Sequence, residues 1–340
     1  MASTHRATIA LTLAVTLLGT GITVTAQRGQ GRPGGPPPFG GPPPGGRGRG
    51  PGGGRPMPVP ESNPLTPEKI ALGRTLFFNP ALSADRTVSC ATCHQPDRAF
   101  TDGRAVARGI HGVEGTRNTP SLVNVGYGRV FFWDGRADSL EAQVMGPMTN
   151  PKEMGLSEAQ IEARTSMKAS DVAAALASYV RTIKSSDSRF DWFQSGQPQM
   201  LTERERAGFE LFRGRAQCAT CHGGPDQTDN RFHNTGVGWA NGTFADEGRF
   251  SVSGDDRDHG AFKTPSLRDV ALTAPYMHDG SLATLEAVVK FYSDGGRRNP
   301  YQDPRMRPLG LTADEQQSVV AFLGALTGRP SDGLGLAMIR

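Results

Sequence analysis

The sequence has few cysteines and no long apolar run. Its four cysteines are Cys90, Cys93, Cys218 and Cys221, and none lies outside these two closely spaced pairs. An even number of cysteines in an exported protein usually indicates disulfides, but this spacing argues against them. The apolar run at residues 9–18 is too short for a comfortable membrane span, and no other segment approaches one in length. We therefore expect a protein without a membrane span.

The chain also has no excess of positive charge once the N-terminal region is set aside. The whole chain has a net charge of +4, but six of its arginines precede residue 61, where there are no acidic residues. The net charge of residues 61–340 is therefore about −2. A folded body that is not basic overall gives no support for nucleic-acid binding.

The first 60 residues have the composition of export and linker segments. Arg6 precedes the apolar run, and Val24-Thr25-Ala26 is a small-residue cleavage site. The charged residue, the apolar run and the cleavage site together predict a signal peptide over residues 1–26 and a periplasmic location, with an uncleaved N-terminal anchor as the alternative. Residues 27–60 are almost wholly Gly, Pro, Arg and Gln, which cannot bury enough apolar surface to fold. We expect this segment to be a disordered tether.

The cysteines fall into two copies of one pentapeptide, Cys-Ala-Thr-Cys-His. This is the attachment signature of c-type haem, in which both thiols bind vinyl groups of one porphyrin and the histidine ligates the iron. A thioredoxin-like pair would be expected once, and a Cys₄ zinc site would leave both histidines unexplained. The sequence therefore predicts two covalently bound haem c groups. Their expected protein ligands are Cys90, Cys93, His94, Cys218, Cys221 and His222.

The surroundings of the two motifs repeat. Thr66-Pro67 before the first motif and the capping box Thr202/Glu205 before the second each predict the start of a helix. Residues 171–183 and 312–326 have helical spacing of apolar residues after each motif. We interpret this as a tandem duplication and predict a mainly α fold of two tandem cytochrome c-type haem domains with long loops. The predicted domains span residues 61–190 and 191–330, with the boundary near Ser185 to Gln199.

Several further blocks occur in a fixed order. They are Leu76-Phe77-Phe78, Arg117-Asn118-Thr119-Pro120-Ser121, Phe132-Trp133-Asp134-Gly135-Arg136, Gly146-Pro147, Glu153-Met154, Thr264-Pro265-Ser266-Leu267-Arg268 and Ala274-Pro275-Tyr276-Met277-His278-Asp279-Gly280. With these blocks the chain resembles the bacterial dihaem cytochrome c peroxidase and MauG superfamily. The resemblance runs from about Leu65 to Gly328 and so covers the whole expected folded body.

The resemblance implies that the two haems have different roles. It implies that peroxide reacts at the N-terminal haem, that the C-terminal haem stores or relays electrons, and that Trp133 lies between them. Glu153 matches the acid–base residue of the family, and Gln143 and Pro147 match its neighbours in that pocket. Without the resemblance, Trp133 would be a core aromatic and Glu153 an ordinary surface acid.

The resemblance also implies a calcium ion between the haems. Asn118, Thr273 and Pro275 match its protein ligands, the last two through backbone carbonyls. Such oxygen ligands, together with waters, suit a hard cation. From sequence alone, Asn118 is equally compatible with a turn.

The sixth iron ligands indicate the subtype. Tyr292 matches the distal ligand of the C-terminal haem in MauG-type enzymes, where typical peroxidases have methionine, and Met277 is the competing candidate. At the N-terminal haem, Ile110 occupies the place of the removable histidine of typical peroxidases, and His111 lies one residue late. We expect an open N-terminal haem with His111 as a solvated loop residue, although His111 remains an alternative ligand.

Three other histidines are not expected to ligate iron. His233 and His259 lie in polar loops rich in Gly and Asp, which favours surface positions. His278 is expected to have a structural role near the second haem.

These features together predict a periplasmic dihaem c-type peroxidase. It would reduce hydrogen peroxide with electrons from a small redox protein, either a cytochrome c or a copper protein. One alternative is a MauG-like enzyme that oxidises a side chain of a protein substrate. A second alternative is a non-catalytic dihaem electron-transfer cytochrome with two six-coordinate haems.

Overall fold

A computed structural model describes residues 56–334 of the chain. The expected signal peptide at residues 1–26 and most of the expected tether at residues 27–60 lie outside these described residues, so both stay predictions.

Helices make up most of the regular structure of the described residues. They are α1 Pro67–Phe77, α2 Cys90–Cys93, α3 Leu140–Thr149, α4 Glu158–Thr165, α5 Ala169–Val180, α6 Arg189–Gln194, α7 Glu203–Arg213, α8 Phe250–Ser253, α9 Leu285–Ser293 and α10 Ala313–Ala325. The predicted N-caps form, because the hydroxyls of Thr66, Thr202 and Thr312 each accept a backbone N–H of the first turn. The last two belong to capping boxes, the expected one of Thr202 with Glu205 and another of Thr312 with Glu315.

The two halves pair their first and last helices in the same way. Helix α1 packs on α5, and α7 packs on α10. At each crossing a glycine faces the partner backbone, Gly73 against Ala175 and Gly208 against Ser318, where a side chain has no room. The same crossing in both halves is what a duplicated cytochrome c pattern predicts.

Each helix pair encloses its own apolar cluster. In the first cluster the rings of Phe77 and Tyr179 lie 5.1 Å apart, and in the second the rings of Phe190 and Phe322 lie 5.1 Å apart. Phe190 belongs to α6, which lies within the expected boundary segment 185–199. That segment is therefore partly helical and adds an aromatic side chain to the second cluster.

Strands are short and few among the described residues, which confirms the mainly α prediction. β1 Phe232–His233 pairs antiparallel with β4 Phe262–Lys263, and β2 Trp239–Ala240 pairs antiparallel with β3 Thr243–Phe244. Long loops join these elements, including the segment between α2 and α3, which carries the blocks at 117–121 and 132–136. Within residues 56–334, none of the helices combines the length and apolar character needed to cross a bilayer.

Candidate active site

Each haem-attachment motif forms a single helical turn. Cys90 and Cys93 lie on α2, and the N–H of His94 donates to the carbonyl of Cys90 over 2.9 Å. In the second motif, a 3₁₀ turn over Cys218–Thr220 is closed by the N–H of His222, which donates to the carbonyl of Cys218 over 2.8 Å. One turn therefore carries both thiols and the histidine of each motif, as attachment to one porphyrin requires.

The two motif histidines are oriented by backbone carbonyls. Nδ1 of His94 lies 2.9 Å from the carbonyl of Phe100, and Nδ1 of His222 lies 3.2 Å from the carbonyl of Gln227. Burial lowers the pKa of both imidazoles, that of His222 to about 4. A neutral imidazole that donates through Nδ1 leaves Nε2 free to ligate iron, so both residues fit the role of proximal ligand.

A second repeated block supports these histidines, and sequence reasoning did not assign it this role. The hydroxyl of Ser121 donates to the carbonyl of Ala99, and that of Ser266 donates to the carbonyl of Asp226, both over 2.7 Å. Ala99 directly precedes Phe100, whose carbonyl orients His94, and Asp226 directly precedes Gln227, whose carbonyl orients His222. The signal in the sequence was Thr-Pro-Ser-Leu, which occurs at 119–122 and again at 264–267.

One cavity joins the two motifs. It has a volume of about 1210 Å³, and its lining is mostly apolar. The structure brings into this lining all the residues predicted to hold or serve the haems, namely Cys90, Cys93, His94, Trp133, Gln143, Pro147, Glu153, Cys218, Cys221, His222 and Tyr292. The volume, the apolar lining and the two Cys-Cys-His sets fit two covalently attached porphyrins.

Trp133 is tied to both halves of this cavity. Its indole nitrogen donates to the carbonyl of Asn118 over 2.9 Å. Its own carbonyl accepts the N–H of Lys263 over 2.8 Å. Asn118 and Lys263 each directly precede one of the two Thr-Pro-Ser-Leu blocks, so the tryptophan is held between the supports of the two motif histidines.

Glu153 lies just beyond α3, where Pro147 and the cap residue Asn150 turn the chain. Oε1 of Glu153 accepts a hydrogen bond from the side-chain amide of Asn150 over 2.8 Å. Burial raises the pKa of Glu153, while the Asn150 hydrogen bond and the charge of Arg136 act in the opposite direction. A half-buried carboxyl with a raised pKa suits proton transfer.

The loop that carries His111 packs against the backbone of Glu153 but directs its histidine outwards. The N–H of Ile110 donates to the carbonyl of Glu153 over 2.9 Å. The side chain of His111 is 70% exposed, and its Nδ1 lies 3.4 Å from a carboxylate oxygen of Asp85. His111 is therefore a solvated loop residue in this structure, as expected.

Tyr292 and Met277 both line the cavity. Tyr292 lies on α9, and burial, followed by the nearby Cys218 and Cys221, raises its pKa well above the ordinary value for tyrosine. Met277 has φ +73° in the turn before Asp279 and Gly280. The assignment of Tyr292, rather than Met277, as the ligand of the second haem therefore stays a prediction.

The residues expected to bind calcium also line the cavity. The side-chain amide nitrogen of Asn118 donates to the carbonyl of Arg104 over 2.8 Å, so its amide oxygen is the atom left for a cation. Thr273 and Pro275 flank Ala274, and the Ala274–Pro275 peptide bond is cis. The calcium site stays a prediction.

The remaining histidines differ in their surroundings. His278 is buried and its ring stacks on Phe262, with centroids 3.5 Å apart, in line with a structural role. The expectation that His233 and His259 are surface residues is wrong, because their side chains are only 11% and 18% exposed. Carboxylates contact both rings. Asp229 and Asp303 flank His233, and a carboxylate oxygen of Glu247 lies 2.6 Å from Nδ1 of His259.

Comparisons with known proteins agree with this geometry. The family model described as di-haem cytochrome c peroxidase matches residues 67–170, and the model described as cytochrome c matches residues 205–327. The chain is 40% identical over 293 residues to the methylamine utilization protein MauG of Methylorubrum extorquens, with 81% of this chain and 82% of that protein covered. It is 35% identical over 318 residues to the cytochrome-c peroxidase IdrP1 of Denitromonas iodatirespirans, with 80% and 85% covered.

A solved structure supports the same assignment. A MauG-like protein associated with microbial copper homeostasis superposes with a TM-score of 0.74 at 36% identity, over 81% of this chain and 93% of that one. The chain therefore belongs to the di-haem cytochrome c peroxidase and MauG family, and it is an oxidoreductase that carries two covalently bound haem c groups.

Proposed function

We propose that this chain is a periplasmic peroxidase that reduces hydrogen peroxide to two water molecules with two electrons from a small redox protein. The carboxyl of Glu153 carries the proposal, because it is half-buried in the same cavity as the first haem motif and has a raised pKa. The donor would be a cytochrome c or a copper protein. The relatives named as cytochrome-c peroxidases support the reaction class.

Cys90, Cys93 and His94 would hold one haem and Cys218, Cys221 and His222 the other; when bound, the first would supply the iron that reacts with peroxide and the second would store or relay electrons. Glu153 takes a proton from one peroxide oxygen and delivers it to the oxygen that leaves as water. Asn150 holds the carboxyl in place for both steps through its 2.8 Å hydrogen bond. Gln143 and Pro147 line the cavity beside this carboxyl.

The outward position of His111 supports a first haem that is open on its distal side. Asp85 accepts the N–H of His111 over 3.1 Å and lies beside its ring, which keeps the histidine at the surface. Such an enzyme needs no reductive removal of a ligand before it reacts with peroxide. We also propose that Asn118, Thr273 and Pro275 hold a calcium ion beside Trp133.

One observation favours a second candidate function, the oxidation of a side chain in a protein substrate. Tyr292 matches the ligand of MauG-type enzymes, and one relative at 40% identity is named MauG. A tyrosinate ligand stabilises oxidised iron, whereas a thioether favours reduced iron. Turnover with a reduced cytochrome, compared with covalent modification of a candidate protein, separates the two functions.

The deciding experiment is an electron paramagnetic resonance spectrum of the fully oxidised protein before and after addition of peroxide. The proposal predicts one high-spin and one low-spin ferric signal that are lost together when peroxide is added. Two low-spin signals that do not respond to peroxide would contradict it and would favour a non-catalytic electron-transfer cytochrome. If such a protein responds only after partial reduction, a removable ligand such as His111 is present and the open-haem part of the proposal is wrong.

A further inference from the structure

Almost all the cationic side chains that line the haem cavity have a polar partner or are exposed to water. The arginines that line it have polar partners among the described residues: Arg108 with Glu114, Arg117 with Asp134 and Asp246, Arg136 with Asp134, Arg268 with Asp191, Arg305 with Asp303, and Arg307 with the amide of Gln217. Lys152 is exposed to water. Lys263 is different, since it is half-buried and no hydrogen bond or ion pair of its ammonium is found in the described part of the chain.

The surroundings of Lys263 are poor in negative charge. Its backbone lies in β4 and donates to the carbonyl of Trp133 over 2.8 Å, while its side chain lines the cavity. Burial lowers the pKa of the ammonium to about 8, and no carboxylate among residues 56–334 offsets that effect. An ammonium withdrawn from water without a partner is unfavourable, so this position is suited to an anion that arrives from outside the chain.

The haems bring such anions. Each haem carries two propionate carboxylates on the side of the ring away from the vinyl groups that the cysteines fix. The two motifs therefore introduce four carboxylates into a cavity with a mostly apolar lining. A carboxylate in such surroundings needs a cation or several hydrogen-bond donors, and an ammonium–carboxylate hydrogen bond is among the stronger kinds.

The backbone of Lys263 is hydrogen bonded to Trp133, which also lines the cavity. Lys263 precedes the second Thr-Pro-Ser-Leu block as Asn118 precedes the first, and both residues bond to Trp133. The second block supports His222, while Trp133 links the supports of both motif histidines. Lys263 therefore belongs to the segment that links the two halves of the cavity, and a carboxylate of either haem would meet the requirement of its ammonium.

We infer that Lys263 is the counter-ion of a propionate carboxylate of one of the two haems. The inference deepens the proposed function because it concerns the haems on which that function depends, but it requires neither the reaction with peroxide nor a particular electron donor. A fixed positive charge beside a haem favours the reduced iron, which has one positive charge fewer. Lys263 would thus position the haem and raise its reduction potential.

The test is a spectroelectrochemical titration of both haems in the holoprotein without peroxide or donor. The variants are Lys263→Gln, which removes the charge, Lys263→Arg, which keeps it, and the exposed Lys168→Gln as the matched control. With unchanged haem content, Lys263→Gln should lower the reduction equilibrium constant of one haem about tenfold, which lowers its midpoint potential by about 59 mV for a one-electron couple. The arginine variant and the control should stay close to the wild-type potentials.

The haem whose midpoint potential shifts is the source of the carboxylate, either the haem on His94 or the one on His222. If Lys263→Gln loses haem while Lys263→Arg keeps it, the need for a charge is supported directly. Unchanged potentials in a fully loaded Lys263→Gln protein would overturn the inference, as would haem loss from both Lys263 variants or an equal shift in Lys168→Gln. Because no peroxide is used, failure of the proposed peroxidase activity would leave this result unaffected.

Discussion

The side-chain amide of Asn150 donates to Oε1 of Glu153 over 2.8 Å. This hydrogen bond ties the carboxyl to the residue that ends α3, so the helix that contributes Gln143 and Pro147 to the cavity also sets the position of the carboxyl. Two opposing influences act on Glu153, because burial favours its neutral form and Asn150 favours its ionised form.

Replacement of Glu153 with glutamine removes the proton carrier but keeps the size of the side chain and its position next to Asn150. We expect haem content to be unchanged and peroxide turnover to fall by about 10²-fold or more. Steady-state turnover with a reduced cytochrome as donor measures the effect. The exposed Glu158→Gln is the control, and equal turnover in the two variants would refute the assigned role.

Replacement of Asn150 with alanine removes the donor that stabilises the ionised carboxyl. The pKa of Glu153 should then rise further, because burial is opposed by Arg136 alone. Since the base must be ionised to accept a proton, the acidic limb of the pH profile of kcat/KM should move to higher pH. An acidic limb at the wild-type pH, in a protein with normal haem content, would show that Asn150 does not act on this group.

Replacement of Trp133 with phenylalanine keeps an aromatic ring but removes the donor to the carbonyl of Asn118. Both haems should load normally, while oxidation of the second haem after peroxide addition should slow by about tenfold or more, equal to a barrier about 1.4 kcal/mol higher. Rapid-freeze electron paramagnetic resonance follows the two ferric signals separately. Simultaneous loss of both signals at the wild-type rate would exclude Trp133 as the link.

Tyr292 can be tested by two replacements with opposite expectations. Tyr292→Phe should convert the low-spin ferric signal of the second haem to a high-spin signal, because phenylalanine cannot ligate iron. Tyr292→Met should keep the haem low-spin and raise its midpoint potential, since a thioether favours reduced iron. A low-spin signal that survives in Tyr292→Phe would transfer the ligand role to another residue, with Met277 the first to examine.

Much of the fold could be predicted because the informative patterns are local. Thr66, Thr202 and Thr312 mark helix starts through capping geometry that depends on residues only three positions apart. The two Cys-x-x-Cys-His motifs likewise contain the atoms needed for haem attachment within one turn. The mainly α class and the duplication followed from these signals, and the described residues confirm both.

The parts that could not be predicted depend on contacts distant in sequence. His233 and His259 lie in polar segments, and only the folded chain brings Asp303 to the first and Glu247 to the second. The support of His222 by Ser266 also joins segments far apart, although the repeated Thr-Pro-Ser-Leu block was visible in the sequence. The pairing of Trp133 with Lys263 has no local signal at all.

The supports of the two motif histidines also constrain the order of assembly. In each half the Thr-Pro-Ser-Leu block is synthesised after its cysteines, so the thiols leave the ribosome before the loop that encloses them exists. In the folded chain, burial raises the pKa values of Cys90, Cys93 and Cys218, and a thiol with a raised pKa is a poorer nucleophile. We therefore expect the thioether bonds to form more readily before each loop closes over its cysteines.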